Sequence, residues 1–404
     1  MEGSLVYSAA AEAEQASSGP PSAWGAVARA RAFLDEQCPP SPCLVIDLAT
    51  VRERYRALAE ALPGAQLFYA VKANPAADVV RELVRAGASF DVASVPEIEL
   101  CLAQGADPAQ ISYGNTIKKH ADVAAAYTLG VRLFTTDSIP DVEAIAQYAP
   151  GASVFGRIML VDTGSLTPFG RKFGCSPDMA VQVLSRAHEL GLRPAGVSFH
   201  VGSQQLDPQA WDRGVREAAA VAAKLAAQDV TLPLINVGGG LPGSYTVSAP
   251  PLAEYAAAIE ASVREHFGAA GLPLPSLVVE PGRFVVADAG LLRSEVVLVS
   301  RKSDDDEFRW VYLDVGRYNG MAECENEYIT YLLSTPEREG EVGPVYLAGP
   351  TCDGDDVLYQ RNIYRLPLAL RAGDHVEFLS TGAYTASYSS IAFNGFSPLP
   401  THCI

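Results

Sequence analysis

The sequence predicts a closed (β/α)8 barrel of parallel strands followed by a smaller, mostly β domain. Short apolar runs alternate with amphipathic helical stretches through the middle of the chain, which is the pattern of β/α units. There are eight such runs, the number that closes a barrel, although an open doubly wound sheet shares the alternation. After Phe284, strand-like segments and turn signals replace the helices. We therefore place the barrel at residues 47–284 and the β domain at residues 285–404.

The composition indicates a globular protein and argues against several kinds of partner. The chain has 404 residues, of which 49% are hydrophobic and 19% charged, so it can bury at least one large core. Its 47 acidic and 30 basic residues give a formal net charge of -17, which argues against nucleic acid or an anionic membrane as partner. Seven cysteines without a CxxC pair indicate reduced thiols in a cytoplasmic setting. No apolar run approaches a membrane span, and the N-terminus lacks the features of a signal peptide.

Two short segments precede the barrel domain, and a helical stretch opens it. Residues 1–22 are rich in Ala, Ser, Glu and Gly, which is the composition of a mobile tail. Residues 23–46 form an N-terminal segment with a helical stretch at 23–36 and an apolar run at 43–46, which we assign as the first strand of the β domain. Helical periodicity resumes at 51–62.

The eight apolar runs of the predicted barrel are short, as buried parallel strands are. They lie at 67–71, 89–92, 111–113, 133–135, 154–160, 196–199, 234–237 and 277–279. The helical stretches between them lie at 76–86, 96–104, 140–148, 176–190, 207–227 and 252–267. Catalytic residues of such a barrel lie at the carboxyl ends of its strands. These ends carry Lys72, Asp91, Asn115, Arg157, His200, Gly238, Gly239, Gly240, Glu280 and Arg283.

The β domain is predicted from four strand-like segments. They lie at 295–300, 309–314, 345–348 and 375–379. The acidic run at 304–307 between the first two is most simply a solvated hairpin loop.

Lys72 ends the first apolar run, and Asn74 and Pro75 stop that run shortly afterwards. A lysine buried at a strand end tends to lose its proton, because burial disfavours the charged form, and the neutral amine is a nucleophile suited to forming a Schiff base. The alternative is a lysine whose ammonium group reaches solvent from the strand end. The residues at the other strand ends decide between the two.

A glycine-rich loop, Gly238 to Gly240, follows the seventh run. Glycines let backbone N–H groups converge on an anion because no Cβ intervenes, so a phosphate is the natural ligand. The motif is neither a Walker A motif nor a clean dinucleotide fingerprint, and a tight structural turn is an equal alternative.

Glu280 and Arg283 follow the last run. Together with Lys72 and the glycine loop they meet the needs of pyridoxal phosphate, whose ring nitrogen is kept protonated by a carboxylate and whose phosphate needs donors. His200, at the end of the sixth run, is then a candidate to stack on the ring, and Ser203 to reach the phosphate. The alternatives are a local salt bridge between Glu280 and Arg283 and a core histidine.

A thiol and three carboxylates gather in the turn at 349–356. Acids there suit the binding of a terminal ammonium group, while Cys352 handles a proton. A metal site is an alternative, but one cysteine without a nearby histidine is not a convincing ligand set. A surface Asp-Gly turn is the remaining alternative.

Taken together, these motifs resemble the fold type III pyridoxal phosphate decarboxylases, the alanine racemase-like group that contains eukaryotic ornithine decarboxylase and bacterial lysine/ornithine decarboxylase. The similarity runs from about Cys43 to the C-terminus, and Ala-Phe-Asn-Gly-Phe at 392–396 is similar to the bacterial branch. The other motifs are Tyr-Ala-Val-Lys-Ala-Asn (69–74), Phe-Asp-Val-Ala-Ser (90–94), Arg-Lys-Phe-Gly (171–174), His-Val-Gly-Ser (200–203), Glu-Pro-Gly-Arg (280–283), Pro-Thr-Cys-Asp-Gly (350–354) and Gly-Ala-Tyr-Thr (382–385). The resemblance implies a TIM-like barrel with a C-terminal, mostly β domain.

The resemblance also implies roles around the cofactor. Lys72 is the Schiff-base lysine, Glu280 faces the pyridinium nitrogen and His200 stacks on the ring. The implied phosphate ligands are Ser203, Gly239, Gly240, Arg283 and Tyr384. The residues that order the ring surroundings are Asp91, Glu97 and Arg157.

Around the substrate, the resemblance implies that Cys352 delivers a proton to Cα, Asp353 takes the distal amine and Phe393 packs near the departing carboxylate. In the family the first two reach into the partner subunit's site, which implies a homodimer with shared active sites. The segment 319–327, which in the family selects the length of the substrate side chain, departs from the family pattern. We call it the specificity segment. Either Glu323 or Glu327 is expected to meet the distal amine there.

The expected function is decarboxylation of a basic amino acid, L-ornithine or L-lysine, to putrescine or cadaverine in polyamine biosynthesis. Decarboxylases of arginine, carboxynorspermidine or diaminopimelate are alternatives, although diaminopimelate calls for a cation where this chain has acids. A non-catalytic regulator similar to the antizyme inhibitors has no reason to keep Lys72, Cys352 and Glu280 together. A racemase needs a second acid/base, usually a tyrosine, whereas the thiol favours one-way protonation.

Overall fold

The structure is a computed structural model that describes residues 21–404 except 162 and 169. Residues 1–20 of the predicted tail therefore lie outside the described residues. Contacts divide the chain into two units. The barrel unit contains Arg54–Pro242 and Ala249–Phe284, and the β unit contains the chain up to Glu53, Gly243–Ser248 and Val285–Ile404.

The described part of the chain starts with a helix, a strand and a second helix. Helix α1 spans Pro21–Gln37, strand β1 spans Cys43–Ile46 and helix α2 spans Leu48–Ala61. Buried Val27 and Leu34 of α1 share a hydrophobic cluster with Val45 of β1. Apolar burial therefore fixes α1 on the β unit.

Eight parallel strands of the described chain form a closed barrel in sequence order. They are β2 (Gln66–Ala70), β3 (Ser89–Val92), β4 (Ile111–Tyr113), β5 (Leu133–Thr136), β6 (Ser153–Arg157), β7 (Arg193–Ser198), β8 (Leu234–Asn236) and β9 (Ser276–Val279). Pairing of Gln66 with Val278 closes the barrel. Phe68, Phe155 and Val278 meet in one buried cluster, so the interior is a packed core.

Helices connect successive barrel strands. They are α3 (Ala77–Arg85), α4 (Val95–Ala103), α5 (His120–Thr128), α6 (Ile139–Tyr148), α7 (Pro177–Glu189), α8 (Trp211–Ala226) and α9 (Leu252–Ala269). A single turn, α10 (Arg283–Val286), follows β9. The predicted barrel is thereby confirmed, and the doubly wound alternative is wrong.

Several details of the barrel differ from the sequence prediction; for example, β7 begins at Arg193 and not at residue 196. Helix α5 was not predicted, because its Ala-rich sequence buries only Val123 and Ala126 and shows no apolar stripe. The fifth run was predicted to reach residue 160, but β6 ends at Arg157. Ile158 instead forms a bridge with Cys175, outside the barrel ladder.

The strands of the β unit after β1 are β10 (Gly290–Ser300), β11 (Arg309–Leu313), β12 (Leu333–Ser334), β13 (Val342–Ala348), β14 (Val357–Pro367), β15 (His375–Leu379) and β16 (Thr401–Cys403). They form a sheet with the strand order β12-β15-β10-β11-β13-β14, and β10 also pairs with β1. Strand β14 was not predicted because Gln-Arg-Asn at 360–362 interrupts its apolar pattern. In the described chain no helix is both long and apolar enough to cross a bilayer.

Candidate active site

Lys72 lies directly after β2, in a 3-10 turn formed by Val71–Ala73. Its Nζ is 3.9 Å from Oδ2 of Asp91, and its side chain is 45% exposed while that of Asp91 is 6% exposed. The expected burial of this lysine is therefore wrong in the single chain, because the turn takes its side chain away from the packed strand. Lys72 is thus an accessible amine beside a buried carboxylate.

Asp91, at the end of β3, is the carboxylate nearest to that amine. Desolvation raises its pKa well above the usual range, the charge of Glu280 adds to the effect, and Lys72 and Arg157 oppose it. Its Oδ1 is buried and has no hydrogen-bond partner among the described residues. A Cβ at Gly114 would collide with this oxygen, so the glycine makes room for the carboxylate.

Glu97 lies in the first turn of α4. Its Oε2 accepts a hydrogen bond of 2.6 Å from the backbone N–H of Ala93, and the Ser94 hydroxyl accepts one from the N–H of Glu97. Desolvation raises the pKa of Glu97, and the Ala93 bond and the charge of Lys72 lower it. Glu97 thus holds the loop that follows β3 as a helix-capping residue.

Arg157 ends β6, beside the same group of charges. Its guanidinium lies 5.1 Å from the centre of the Phe173 ring. Burial lowers its pKa, and Glu280, Asp91 and Asp137 oppose that shift, in that order. An arginine stays charged under such a shift, so Arg157 is a fixed positive charge that these three carboxylates stabilise.

His200 follows β7 and carries no charge. Its Nδ1 accepts a 2.9 Å hydrogen bond from the backbone N–H of Gly202, which leaves the ring proton on Nε2. Desolvation, together with the positive charges of Arg157 and Lys72, holds the pKa of His200 well below its usual range. A neutral, flat imidazole at this place is suited to stacking against an aromatic ring.

The glycine loop after β8 is tightly packed. Gly238 and Gly240 have φ values of 69° and 109°, which favour glycine. A Cβ at Gly239 would lie 2.6 Å from the carbonyl oxygen of Glu280, and one at Gly240 would lie 2.7 Å from Val201 Cγ2. The structure therefore requires glycine here for conformation and for close approach.

Glu280 and Arg283 bind different partners. The Asn236 amide donates a 2.6 Å hydrogen bond to Oε1 of Glu280, which orients the carboxylate. Arg283, 3% exposed, donates from Nε and Nη2 to the hydroxyl of Ser203 at 3.2 and 3.1 Å. A salt bridge between the two therefore does not account for these residues.

These barrel residues fit pyridoxal phosphate. The buried Asp91 Oδ1 lacks a partner, the glycine loop leaves no room for side chains, and the donor pair Arg283 and Ser203 suits a phosphate. Glu280 is an oriented carboxylate of the kind that pairs with a ring nitrogen. The barrel therefore supplies the donors and the carboxylate that the phosphate and the ring nitrogen of pyridoxal phosphate require.

Cys352 lies in the β unit, in the loop between β13 and β14. Its backbone N–H and its thiol donate to Oδ1 of Asn394 at 3.1 and 3.4 Å. The contacts with Asn394 thus orient the thiol within the loop. Within the described part of the chain, no three His, Cys, Asp or Glu side chains gather in a group that could hold a metal ion.

Asp353 and Phe393 are both near Tyr318, which belongs to the 3-10 turn Arg317–Asn319. The Tyr318 and Phe393 rings are 4.7 Å apart between centres. Desolvation and the Asp353 carboxylate raise the pKa of Tyr318, and Asp353 is its hydrogen-bond partner. Cys352, Asp353 and Phe393 thus occur together in one part of the β unit.

The two candidate acids of the specificity segment have different surroundings. Both oxygens of Glu327 accept backbone hydrogen bonds, from Gln360, Arg361 and Asn362, at 2.6 to 3.0 Å. Glu327 therefore holds the backbone of β14. Glu323, in the 3-10 segment Ala322–Glu327, is the half-buried acid that this network does not include.

Tyr384 lies in the loop after β15, with a φ of 55°. Its ring is 5.5 Å from that of Tyr388. The loop is anchored by the buried Thr385, whose hydroxyl donates to the carbonyl of Thr381 at 2.7 Å.

Sequence reasoning missed three polar residues with specific partners, two of which contact proposed site residues. Asn236 orients Glu280, Asn394 accepts from Cys352, and Lys118 is a fully buried lysine paired with Asp141 at 2.9 Å. Lys118 also donates to the carbonyls that follow β4 and end β5. A signal existed for Asn236, a polar residue within the apolar run 234–237, but none for the other two, whose partners are distant in sequence.

Comparison with known proteins gives a consistent result. Residues 48–287 match the family model described as "Pyridoxal-dependent decarboxylase, pyridoxal binding domain". A lysine/ornithine decarboxylase of Selenomonas ruminantium is 33% identical over 363 residues, which are 90% of this chain and 89% of that protein. Antizyme inhibitor 2 of Xenopus laevis is 32% identical over 379 residues, which are 89% of this chain and 80% of that protein.

Solved structures agree with the sequence relatives. The structure of lysine/ornithine decarboxylase from Vibrio vulnificus complexed with cadaverine has a TM-score of 0.83 and 31% sequence identity. The similarity covers 94% of this chain and 98% of that one, so it includes both units.

Proposed function

Since the chain belongs to the pyridoxal-dependent decarboxylase family, as an enzyme of the ornithine/lysine decarboxylase type that uses pyridoxal phosphate, we propose that it decarboxylates a basic L-amino acid. Ornithine is the first candidate and lysine the second, with putrescine or cadaverine and carbon dioxide as products. The observation that carries the proposal is the accessible Lys72 amine beside Asp91, in one barrel with the oriented Glu280.

The barrel residues bind and tune the cofactor in this proposal. When bound, pyridoxal phosphate supplies an electron sink for the bond that breaks at the substrate Cα. The Lys72 amine holds its aldehyde covalently, and Glu280 keeps a proton on its ring nitrogen. Neutral His200 stacks on the ring without adding charge, while Asp91, Glu97 and Arg157 order the ring surroundings.

The phosphate of the bound cofactor would be held by residues that follow strands β7, β8 and β9. Arg283 and Ser203 donate to it, as do the backbone N–H groups of Gly239 and Gly240. Tyr384 is the phosphate ligand that we propose from the β unit. These contacts would hold the phosphate end of the cofactor and leave its aldehyde end to react with Lys72 or the substrate.

The substrate is recognised at both ends. Asp353 and Glu323 bind the distal ammonium group, and Phe393 gives the α-carboxylate an apolar wall, which favours loss of its charge as carbon dioxide. The Cys352 thiol, oriented by its hydrogen bond to Asn394, donates the proton to Cα. Glu327 is left to a structural role by its backbone contacts.

We further propose a homodimer in which Cys352 and Asp353 complete the partner's site. Cys352 is exposed in the single chain, which suits a residue that acts across an interface. All seven cysteines are free thiols, in keeping with a reducing compartment, for which we propose the cytoplasm.

The substrate proposal is tested with a panel of amino acids. Purified enzyme with added pyridoxal phosphate is incubated separately with L-ornithine, L-lysine, L-arginine and meso-diaminopimelate, and the amine formed is identified by mass spectrometry. We expect putrescine or cadaverine as the main product. Agmatine or lysine as the main product, or no carbon dioxide from any of the four, would contradict the proposal.

A non-catalytic regulator is the second reading, because an antizyme inhibitor is among the relatives. Retention of Lys72, Glu280 and Cys352 in one chain favours the enzyme. The Lys72→Ala variant separates the two: the enzyme loses turnover with this change, whereas binding of a protein partner by a regulator does not depend on that amine.

A further inference from the structure

One buried carboxylate lies beneath the loop that carries Cys352. Asp356 is the last residue of this loop, directly before β14, and is only 2% exposed. The loop is closed by a 2.8 Å hydrogen bond from the N–H of Gly349 to the carbonyl of Asp356. The Asp356 side chain is therefore buried within the loop that carries Cys352, the proposed proton donor.

Each oxygen of this carboxylate binds a different segment. Oδ1 accepts a 2.8 Å hydrogen bond from the backbone N–H of Arg317, in the turn that contains Tyr318. Oδ2 accepts from the backbone N–H and the hydroxyl of Thr351, at 3.0 and 2.7 Å. Thr351 precedes Cys352 directly. One side chain thus joins the proton-donor loop to the segment that leads into the proposed specificity residues.

The Asp356 carboxylate is tightly packed on two sides. A Cβ at Gly316 or at Gly349 would collide with its oxygens, so both glycines are packed against it. A glutamate is too long to fit there. A neutral amide cannot accept hydrogen bonds from both Arg317 and Thr351. A carboxylate has two acceptor oxygens, whereas an amide presents N–H groups at one end.

From these contacts we propose that Asp356 is a positioning residue, which fixes the Cys352 loop against the Arg317–Asn319 turn and so sets where the thiol proton arrives. The inference rests on the proposed function, because it assumes that Cys352 donates to Cα. Asp356 does not itself touch the substrate in this account.

The reaction provides a readout of thiol position. The Cα–carboxylate bond breaks, carbon dioxide leaves, the electron pair remains for Cα, and the thiol proton is added there to give the diamine. When the proton arrives at the cofactor instead, hydrolysis with one water releases an amino-aldehyde, and the amino group stays on the cofactor. The ratio of amino-aldehyde to diamine therefore reports the delivery of the proton.

The test uses the holoenzyme and the substrate found with the amino-acid panel. In Asp356→Asn one oxygen becomes an N–H donor that faces Arg317 or Thr351, so one side is released. We expect the amino-aldehyde to diamine ratio to rise about tenfold or more, since displacement of a reacting group by about 1 Å costs up to 100-fold. Thr351→Val, which loses only the hydroxyl bond, should change the ratio in the same direction by less.

The matched control is Asp374→Asn. Asp374 is 5% exposed, belongs to the same unit and accepts from Arg338 at 2.7 and 2.8 Å and from the N–H of Arg371 at 2.9 Å. Its loss should lower the melting temperature but leave the product ratio at the wild-type value. If both variants change the ratio equally, Asp356 acts only through general stability and the inference is wrong.

A second readout does not depend on turnover. Alkylation of Cys352 by iodoacetamide is measured by peptide mass spectrometry, with the exposed Cys38 as internal reference. We expect the relative rate at Cys352 to rise several-fold in Asp356→Asn and to stay constant in Asp374→Asn. Should Asp356→Asn not fold, Thr351→Val decides both readouts.

Cys352→Ala distinguishes the two levels of proposal. If this variant forms the amino-aldehyde while Asp356→Asn and Thr351→Val keep the wild-type ratio and alkylation rate, the inference fails and the proposed function stands. If Cys352→Ala gives clean diamine, the role of Cys352 fails, and the inference fails with it.

Discussion

At the scale of single residues, the acids of this protein divide into those that hold backbone and those that face charge. Glu97 and Glu327 accept from backbone N–H groups, and Asp356 joins two segments in the same way. Asp91 and Glu280, by contrast, lie among Lys72 and Arg157. The sequence alone does not distinguish the two groups, because a glutamate that binds backbone N–H groups and one that faces a charged group can occur in the same acidic segment.

The specificity segment offers a direct test of this division. Glu323→Gln should raise the KM for the amino acid about tenfold to a hundredfold, because a charged hydrogen bond to the distal ammonium, worth about 1.5–3 kcal/mol, is lost. Glu327→Gln should instead lower the free energy of unfolding by about 1–3 kcal/mol, because an amide cannot accept all the N–H groups that the carboxylate now satisfies.

Both variants are compared by steady-state kinetics and by urea unfolding. A larger rise in KM for Glu327→Gln than for Glu323→Gln would contradict the assignment of the two acids.

At the scale of elements, helix α1 is held by an ion pair whose strength depends on pH. Arg29 donates from Nε and Nη2 to Asp47 at 2.9 and 2.6 Å, and Thr50 donates to the same carboxylate. Burial acts to raise the pKa of Asp47, but the hydrogen bonds from Arg29 and Thr50 outweigh it and hold the pKa below its usual range. A lowered carboxyl pKa means that the stabilisation is present above the pKa of the unfolded chain and is lost as the pH falls through the folded value.

Arg29→Ala should therefore move the midpoint of acid unfolding to higher pH. At neutral pH it should cost about 1–2 kcal/mol, a value reduced from that of a buried charged pair because Arg29 is 47% exposed. The measurement is circular dichroism against pH, with exposed Arg56→Ala as the control that leaves the midpoint unchanged. An unchanged midpoint in Arg29→Ala would show that the pair does not hold α1.

Sequence reasoning succeeded for elements whose apolar pattern is local. Strands β3 and β4 were predicted at their observed bounds, because each is a short apolar run between polar turns. Helix α5 and strand β14 were missed, because an Ala-rich helix and a strand with a polar middle are stabilised by partners elsewhere in the chain. The exposure of Lys72 was the alternative that sequence reasoning did not prefer, because a 3-10 turn cannot be read from the composition of the strand before it.

The candidate site was predictable to the same degree. Residues at strand ends, such as Asp91 and Glu280, follow from the barrel itself. Partners such as Asn394, which meets Cys352 from 42 positions away, depend on tertiary structure that periodicity does not contain.

At the scale of the whole molecule, the proposed residues are divided between two units. Lys72 and Glu280 belong to the barrel unit, and Cys352 belongs to the β unit. If each site takes Lys72 from one subunit and Cys352 from the other, variants of the two residues should complement each other in a mixed dimer.

Lys72→Ala and Cys352→Ala are each expected to be deficient in diamine formation. After unfolding, mixing in equal amounts and refolding together, random pairing makes half of the dimers mixed, and each of these has one intact site, so activity should recover to roughly a quarter of wild type. Lys72→Ala treated in the same way without the second variant is the control. No recovery in a sample shown to contain mixed dimers would contradict the shared site.

The account depends most directly on the covalent attachment of the cofactor to Lys72. The purified holoenzyme is reduced with borohydride, digested and analysed by mass spectrometry, with Lys118 and Lys119 as internal comparison lysines. We predict a pyridoxyl phosphate group on the peptide that contains Lys72 and on no other lysine. A label on another lysine, or no label in an enzyme that still forms diamine, would contradict the central claim.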